Sequence, residues 1–110
     1  QADRNYLKQL LLNLILNGIQ AMPAGGRLSI RADRVKNSLG LSVTDRGIGI
    51  KPDQLGKIFD PYFTTKANGS GLGLAIARRI ADAHGGKIDV QSEPGQGACF
   101  LVSLPLGNQP

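Results

Sequence analysis

The spacing of apolar residues changes period three times along this chain, and that alone restricts the folds it can form. In residues 3–22, Leu7, Leu10, Leu11, Leu14, Gly18 and Ala21 recur at the spacing of one helix face. Pro23 and the Gly25-Gly26 pair end that pattern. Residues 27–35 alternate through Leu28, Ile30 and Ala32, and residues 39–44 through Leu39, Leu41 and Val43. Asn37-Ser38 supplies turn chemistry between the two runs, so together they predict a β-hairpin. Residues 52–59 can form a short helix with Pro52 in its first turn, and residues 60–70 read as a polar, glycine-containing loop. The helical period returns over residues 71–84, with Leu72, Ile76, Ile80 and Ala83 on one face and Gly85-Gly86 as the stop. Residues 87–93 and 98–104 alternate again around Pro94-Gly95, and the tail 107–110 is expected to fray.

That order predicts an α+β fold in which helices cover one face of a mostly antiparallel sheet. A chain of 110 residues makes one domain with a single modest core, and residues 1–110 are read as that domain. Its 41% hydrophobic and 19% charged content is that of a globular protein. No apolar run approaches the roughly 20 residues a membrane span requires, and no signal peptide opens the chain. Cys99 has no partner for an internal disulfide and sits in an apolar run, so it is expected to be a buried structural thiol in a reducing, cytoplasmic setting. The net charge of +5 would suit an anionic partner. Yet the basic residues are scattered from Arg4 and Lys8 to Lys87, only Arg78-Arg79 are adjacent, and no aromatics interleave with them. A solvated basic surface is expected, and no nucleic-acid partner.

Several polar and glycine groups interrupt this background in a fixed order. Asn13 and Asn17 lie four apart and share a helix face that Gln9 and Gln20 continue. One reading is a polar face turned to water. However, surface helices usually carry Lys or Glu, whereas this stripe is all neutral amide. Carboxamide oxygens can ligate Mg²⁺ without competing with phosphates for its charge. Asp45 follows an apolar strand and opens Gly47-x-Gly49, which suits either a tight turn or a carboxylate that accepts the amino group of a flat base such as adenine. Gly69-Ser70-Gly71-Leu72-Gly73 runs straight into a helix, as a hinge or as an anion site where N–H groups and the helix dipole meet a phosphate. It is neither a P-loop nor a dinucleotide fingerprint, because Gly-Lys-Ser/Thr does not follow and Ile76 stands where the next glycine would be needed. Phe59-x-Pro61-x-Phe63 and Thr64-Thr65-Lys66 place two aromatics beside that loop, as core anchors or as part of a lid from which Lys66 reaches a phosphate. His84, the only histidine, ends the second helix and is expected to cap it.

Taken together, these segments resemble the catalytic and ATP-binding domain of bacterial sensor histidine kinases, a family within the superfamily of DNA gyrase, heat-shock chaperone and mismatch-repair ATPases. Asn13-Leu14-Ile15-Leu16-Asn17 resembles the N box, Asp45-x-Gly47-x-Gly49 the first glycine box, Phe59 to Phe63 the F box, and Gly69-x-Gly71-x-Gly73 the second glycine box. The likeness runs from about residue 3 to 106. The Pro61-Tyr62-Phe63-Thr64-Thr65-Lys66 stretch is most similar to the nitrogen-regulation and zinc- or acetoacetate-responsive subgroup.

The resemblance implies a two-layer α/β sandwich with a mixed, mostly antiparallel sheet. It implies ATP and Mg²⁺ as cofactors, with Asn17 and Asn13 holding the metal. Asp45 would bind the adenine amino group, with Gly47, Gly49 and Ile50 beside the base. Gln20, Lys66, Gly69, Ser70, Gly71, Leu72, Gly73 and Leu74 would line the phosphates, and Asn13 and Lys66 would serve the transfer itself. In the gyrase and mismatch-repair branch, a glutamate one turn before the metal-binding Asn activates water; Asn13 stands in that place and cannot take a proton at neutral pH. That favours transfer of the γ-phosphoryl group to a histidine of a dimerisation domain, and from there to a response-regulator aspartate, over rapid ATP hydrolysis.

This chain departs from its relatives in having Gly18 in place of Ala, expected to loosen the first helix, and Gln20 in place of a phosphate-contacting Lys. The phosphoacceptor helices are expected elsewhere, in a homodimeric whole whose other segments can anchor it in a membrane, and an earlier strand is expected to leave a sheet edge unpaired here. The competing functions are a module that holds nucleotide or a helix without turnover, and a serine kinase of the anti-sigma type, which the intact F box disfavours.

Overall fold

A computed structural model describes residues 4–60 and 73–105. The elements run α1 (Arg4–Gln20), β1 (Ser29–Val35), β2 (Ser38–Thr44), a 3₁₀ turn at Pro52–Gln54, α2 (Gly73–Ala83), β3 (Lys87–Ser92) and β4 (Ala98–Pro105). The strands form one sheet in the order β1-β2-β4-β3. Every pairing among the described residues is antiparallel, so the mixed character expected of the sheet does not arise within them. Both helices lie on one face of this sheet and pack against each other, giving the two layers. None of the described helices is long and apolar enough to cross a membrane.

The core forms where the two periodicities meet. Leu10 and Leu14 on α1, Val43 on β2, and Phe100 and Leu104 on β4 are almost wholly buried. Burying each such side chain is worth about 1.5–3 kcal/mol. On β4 the alternation is strict: Ala98, Phe100, Val102 and Leu104 are buried under the helices, while Leu101, Ser103 and Pro105 are exposed on the open face. Cys99 shares that open face and is only half-buried, its sulfur 3.2 Å from the Thr44 hydroxyl; neither described helix covers it there. The expectation of a buried thiol is corrected accordingly.

Other expectations also shift. The hairpin turn is Lys36-Asn37, one residue earlier than predicted, and Lys36 adopts φ 56°. The segment after Pro52 forms one 3₁₀ turn and then irregular turns through Phe59, where a short helix had been expected; Gly56 lies within it and has poor helix propensity. On α2 the deeply buried positions are Ala77, Ile80 and Ala81, while Ala83 is exposed. Small residues at that contact let two helices and a sheet approach together. Ile30 and Ala32 point to the helix side as predicted, yet Ile30 is 47% exposed and Ala32 is exposed too. The helices lie over β2, β3 and β4, leaving β1 at the rim. Among the described residues β1 pairs only with β2.

The second helix ends as its double glycine predicts. Gly85 has φ 75°, its N–H donates to Asp82 C=O, and the Gly86 N–H donates to Ala81 C=O at 2.8 Å. His84 closes the same end: its ring Nδ1 lies 2.8 Å from Ile80 O, and its ring meets Tyr6 edge-on at 5.9 Å. The start of α1 therefore sits beside the end of α2.

Candidate functional site

Three segments converge at the C-terminal end of α1: the loop after β2, the β3–β4 turn and the helix end itself. Asp45, the first residue beyond β2, is 2% exposed and is the one charged side chain buried among the described residues. Its backbone extends the β2–β4 ladder by one step, donating N–H to Ala98 O at 2.9 Å. Its carboxylate Oδ1 accepts the Gly47 N–H at 2.8 Å and the Ala98 N–H at 3.3 Å. Those bonds fix the carboxylate from one side and leave Oδ2 with no donor among the described residues. Oδ2 lies on the side of Gly18, 3.8 Å from where a Cβ on that glycine would sit.

The loop carrying this carboxylate is pinned residue by residue. Arg46 N–H meets the Met22 sulfur at 3.4 Å, and Ile48 N–H donates to Ala21 O at 3.2 Å. A Cβ on Gly47 would drive into the backbone carbonyl of Ala21, so only glycine lets the loop close onto the end of α1. Gly49 adopts φ 74°, and a side chain there would strike the Glu93 carbonyl in the β3–β4 turn. The glycines predicted to admit a flat ring thus also let the loop lie against two neighbouring backbones. Gly97 does the same from the turn: a Cβ there would strike the Asp45 carbonyl.

Gly18 is buried on α1. The space its missing Cβ vacates is taken by a methyl of Leu28, which ties the helix to the approach of β1.

Asn13 and Asn17 are both half-buried on α1, and the Asn13 Nδ2 is buried without a hydrogen-bond partner among the described residues. An orphaned amide inside a folded domain costs roughly 1–3 kcal/mol, which stability alone would not retain. Gln20 is exposed at the last position of α1. Ile50 packs its side chain on the core and gives its N–H to the Ser92 hydroxyl. Gly73 opens α2 with no described residue near its missing Cβ, and Leu74 packs on the core. Lys66, Gly69, Ser70, Gly71 and Leu72 lie outside the described residues, as do Pro61 to Phe63 of the aromatic motif. Its first aromatic, Phe59, meets Phe100 edge-on at 6.3 Å and carries the Arg78 guanidinium 5.3 Å above its ring. Sequence reasoning missed Met22, Ser92, Gly97 and Ala98; the one available signal was the close Gly95-x-Gly97 pair in the turn.

The chain that holds this buried carboxylate, glycine loop and pair of helix amides is similar in sequence and fold to known proteins. Residues 2–108 match the family of histidine kinase-, DNA gyrase B- and HSP90-like ATPases. The chain belongs to that family. Within it, the sensor histidine kinase ZraS of Escherichia coli (strain K12) is 51% identical over 106 residues, 96% of this chain and 23% of the relative. The signal transduction histidine-protein kinase AtoS of the same strain is 49% identical over 109 residues, 98% of this chain and 18% of the relative. The chain spans less than a quarter of either curated relative. Among solved structures, a nucleotide-free form of the catalytic domain of histidine kinase ThkA superposes with a TM-score of 0.84 at 40% identity, covering 94% of this chain and 68% of that one. Full-length ShkA in complex with AMPPNP superposes with a TM-score of 0.85 at 37% identity, covering 94% of this chain and 22% of that one. This domain is thus a homologue of sensor histidine kinase catalytic domains, and the resemblance inferred from the four boxes holds.

Proposed function

We propose that this domain binds Mg·ATP and donates the γ-phosphoryl group to a histidine on the dimerisation domain of the same kinase. That histidine then passes the group to an aspartate of a response regulator. The observation that carries the reading is Asp45: a 2% exposed carboxylate whose Oδ1 is committed to two backbone N–H groups and whose Oδ2 is not. Such an oxygen is suited to the exocyclic amino group of adenine, because burial strengthens the bond and a base lacking the donor would leave the charge unpaired.

The amides fit a magnesium-phosphate group. The Asn13 Nδ2, buried with no hydrogen-bond partner among the described residues, supports this reading, and Asn17 lies one turn further along the same face. In this reading Asn17 and Asn13 hold Mg²⁺ through carboxamide oxygens, and Gln20 and Lys66 approach the phosphates with Gly69 to Leu74. Bound there, Mg²⁺ would neutralise phosphate charge. The chain itself supplies position: Asp45 fixes the base, the α2 N-terminus faces the phosphates, and Asn13 withholds a general base from water. The imidazole nitrogen of the partner attacks the γ-phosphorus as the bond to the β-phosphate oxygen breaks, with ADP leaving. The whole protein is a cytoplasmic kinase module in a homodimer, anchored to a membrane by other segments where an anchor exists.

Calorimetric titration of ADP and ATP, with and without Mg²⁺, tests the pocket on this chain and on Asp45→Ala. Binding that disappears in the variant supports it. Adding a separate phosphoacceptor domain and labelled ATP tests the transfer, and a label that never reaches histidine would leave only a nucleotide-binding module.

A further inference from the structure

Ser92 breaks the pattern of its own strand. On β3 the residues facing the helices are Ile88, Val90 and Ser92, and the third is polar where the alternation calls for an apolar side chain. Its neighbour across the ladder is Ala98, whose own N–H bonds the Asp45 carboxylate. The Ser92 hydroxyl uses both of its roles: it accepts the Ile50 N–H at 2.8 Å and donates to the Gly97 carbonyl at 2.7 Å. One oxygen therefore joins the far end of the Asp45–Ile50 loop to the turn that supports Asp45.

The rest of the loop has its own anchors. Arg46 is held by Met22, Gly47 by the Asp45 carboxylate, and Ile48 by Ala21 and by the Gly95 N–H. Ser92 is what holds Ile50, and a methyl group in its place would leave the Ile50 N–H and the Gly97 carbonyl without these partners.

We propose that Ser92 is a positioning residue for nucleotide binding, setting the height and tilt of the Gly47–Ile50 loop against the base that Asp45 recognises. It touches no ligand; it acts through the Ile50 and Gly97 backbones. The inference rests on the nucleotide reading of the site.

The test compares the unsubstituted chain with Ser92→Ala and with Ser42→Ala, which removes a hydroxyl from β2 on the face of the sheet opposite the helices. ADP affinity is measured by calorimetry at a temperature where all three are folded, and amide exchange is followed at Ile50 and at Val102 on the central strand. Ser92→Ala is expected to weaken ADP about fivefold, the worth of one ordinary hydrogen bond, and to speed exchange at Ile50. Val102 exchange and the ADP affinity of Ser42→Ala should stay unchanged. A lower melting temperature with unaltered ADP affinity would make Ser92 purely structural and overturn the proposal, as would unaltered exchange at Ile50. Failure of the unsubstituted chain to bind ADP at all is a different result: it overturns the nucleotide reading and this inference with it.

Discussion

Asp45 and Ala98 are joined twice: the Asp45 N–H donates to the Ala98 carbonyl at 2.9 Å, and the Ala98 N–H donates to Asp45 Oδ1 at 3.3 Å. The residue assigned to the base is therefore an extension of the β2–β4 ladder as much as a side chain in a pocket. Its orientation is inherited from the central strand of the sheet, and rotation of the carboxylate would break its bond from the Ala98 N–H.

Replacing Asp45 should therefore have two separable effects. Asp45→Ala removes the acceptor for two backbone N–H groups and is expected to destabilise the domain by about 1–3 kcal/mol. It should also weaken ADP by at least about tenfold, since a hydrogen bond to a charged group is worth about 1.5–3 kcal/mol. Thermal unfolding and calorimetry on the same samples separate the two, and wild-type ADP affinity in this variant would exclude Asp45 from the site.

Asn13 offers the opposite signature. Its Nδ2 is buried and unpaired among the described residues, so Asn13→Ala relieves a desolvated donor and improves helix propensity. Stability should rise by about 1 kcal/mol while nucleotide affinity measured in Mg²⁺ falls. A fall in both would show that the amide is used by the fold.

Gly49→Ala places a side chain on a residue at φ 74° and against the Glu93 carbonyl. The backbone strain alone costs roughly 1 kcal/mol, and the collision adds to it. A loss of at least about 2 kcal/mol in chemical denaturation is expected, together with loss of ADP binding. Little change in either would mean that the loop and the β3–β4 turn are not held against each other.

Phe100 is the largest of the fully buried side chains and meets Phe59 edge-on. Phe100→Ala should cost about 3–5 kcal/mol, enough to unfold much of a small domain at 37 °C. The urea midpoint gives the number directly, and a drop below about 1 kcal/mol would place Phe100 outside a close-packed core.

The sequence by itself determined the elements and the chemistry-bearing residues. Helical spacing in α1 selected Leu10 and Leu14 for burial, and strict alternation in β4 did the same for Phe100, Val102 and Leu104. Gly85-Gly86 marked a helix stop because only residues free to adopt positive φ close a helix that way. Asn13, Asn17, Asp45, Gly47 and Gly49 stood out because each residue type is unusual for its setting, a signal that needs no partner. Tertiary structure decided whatever depended on distant segments. Ile30 and Ala32 carry the right alternation but remain exposed, because two helices do not reach across to an edge strand. Cys99 faces the uncovered side of the sheet although its neighbours in sequence are apolar. Ser92 and Gly97 gained their place only when folding brought residues 42 to 53 positions apart, Ile50 with Ser92 and Asp45 with Ala98, within hydrogen-bond range. Periodicity is a local property of the chain and can be recognised in it; the closing of one loop onto another depends on contacts between segments that only the packed core brings together.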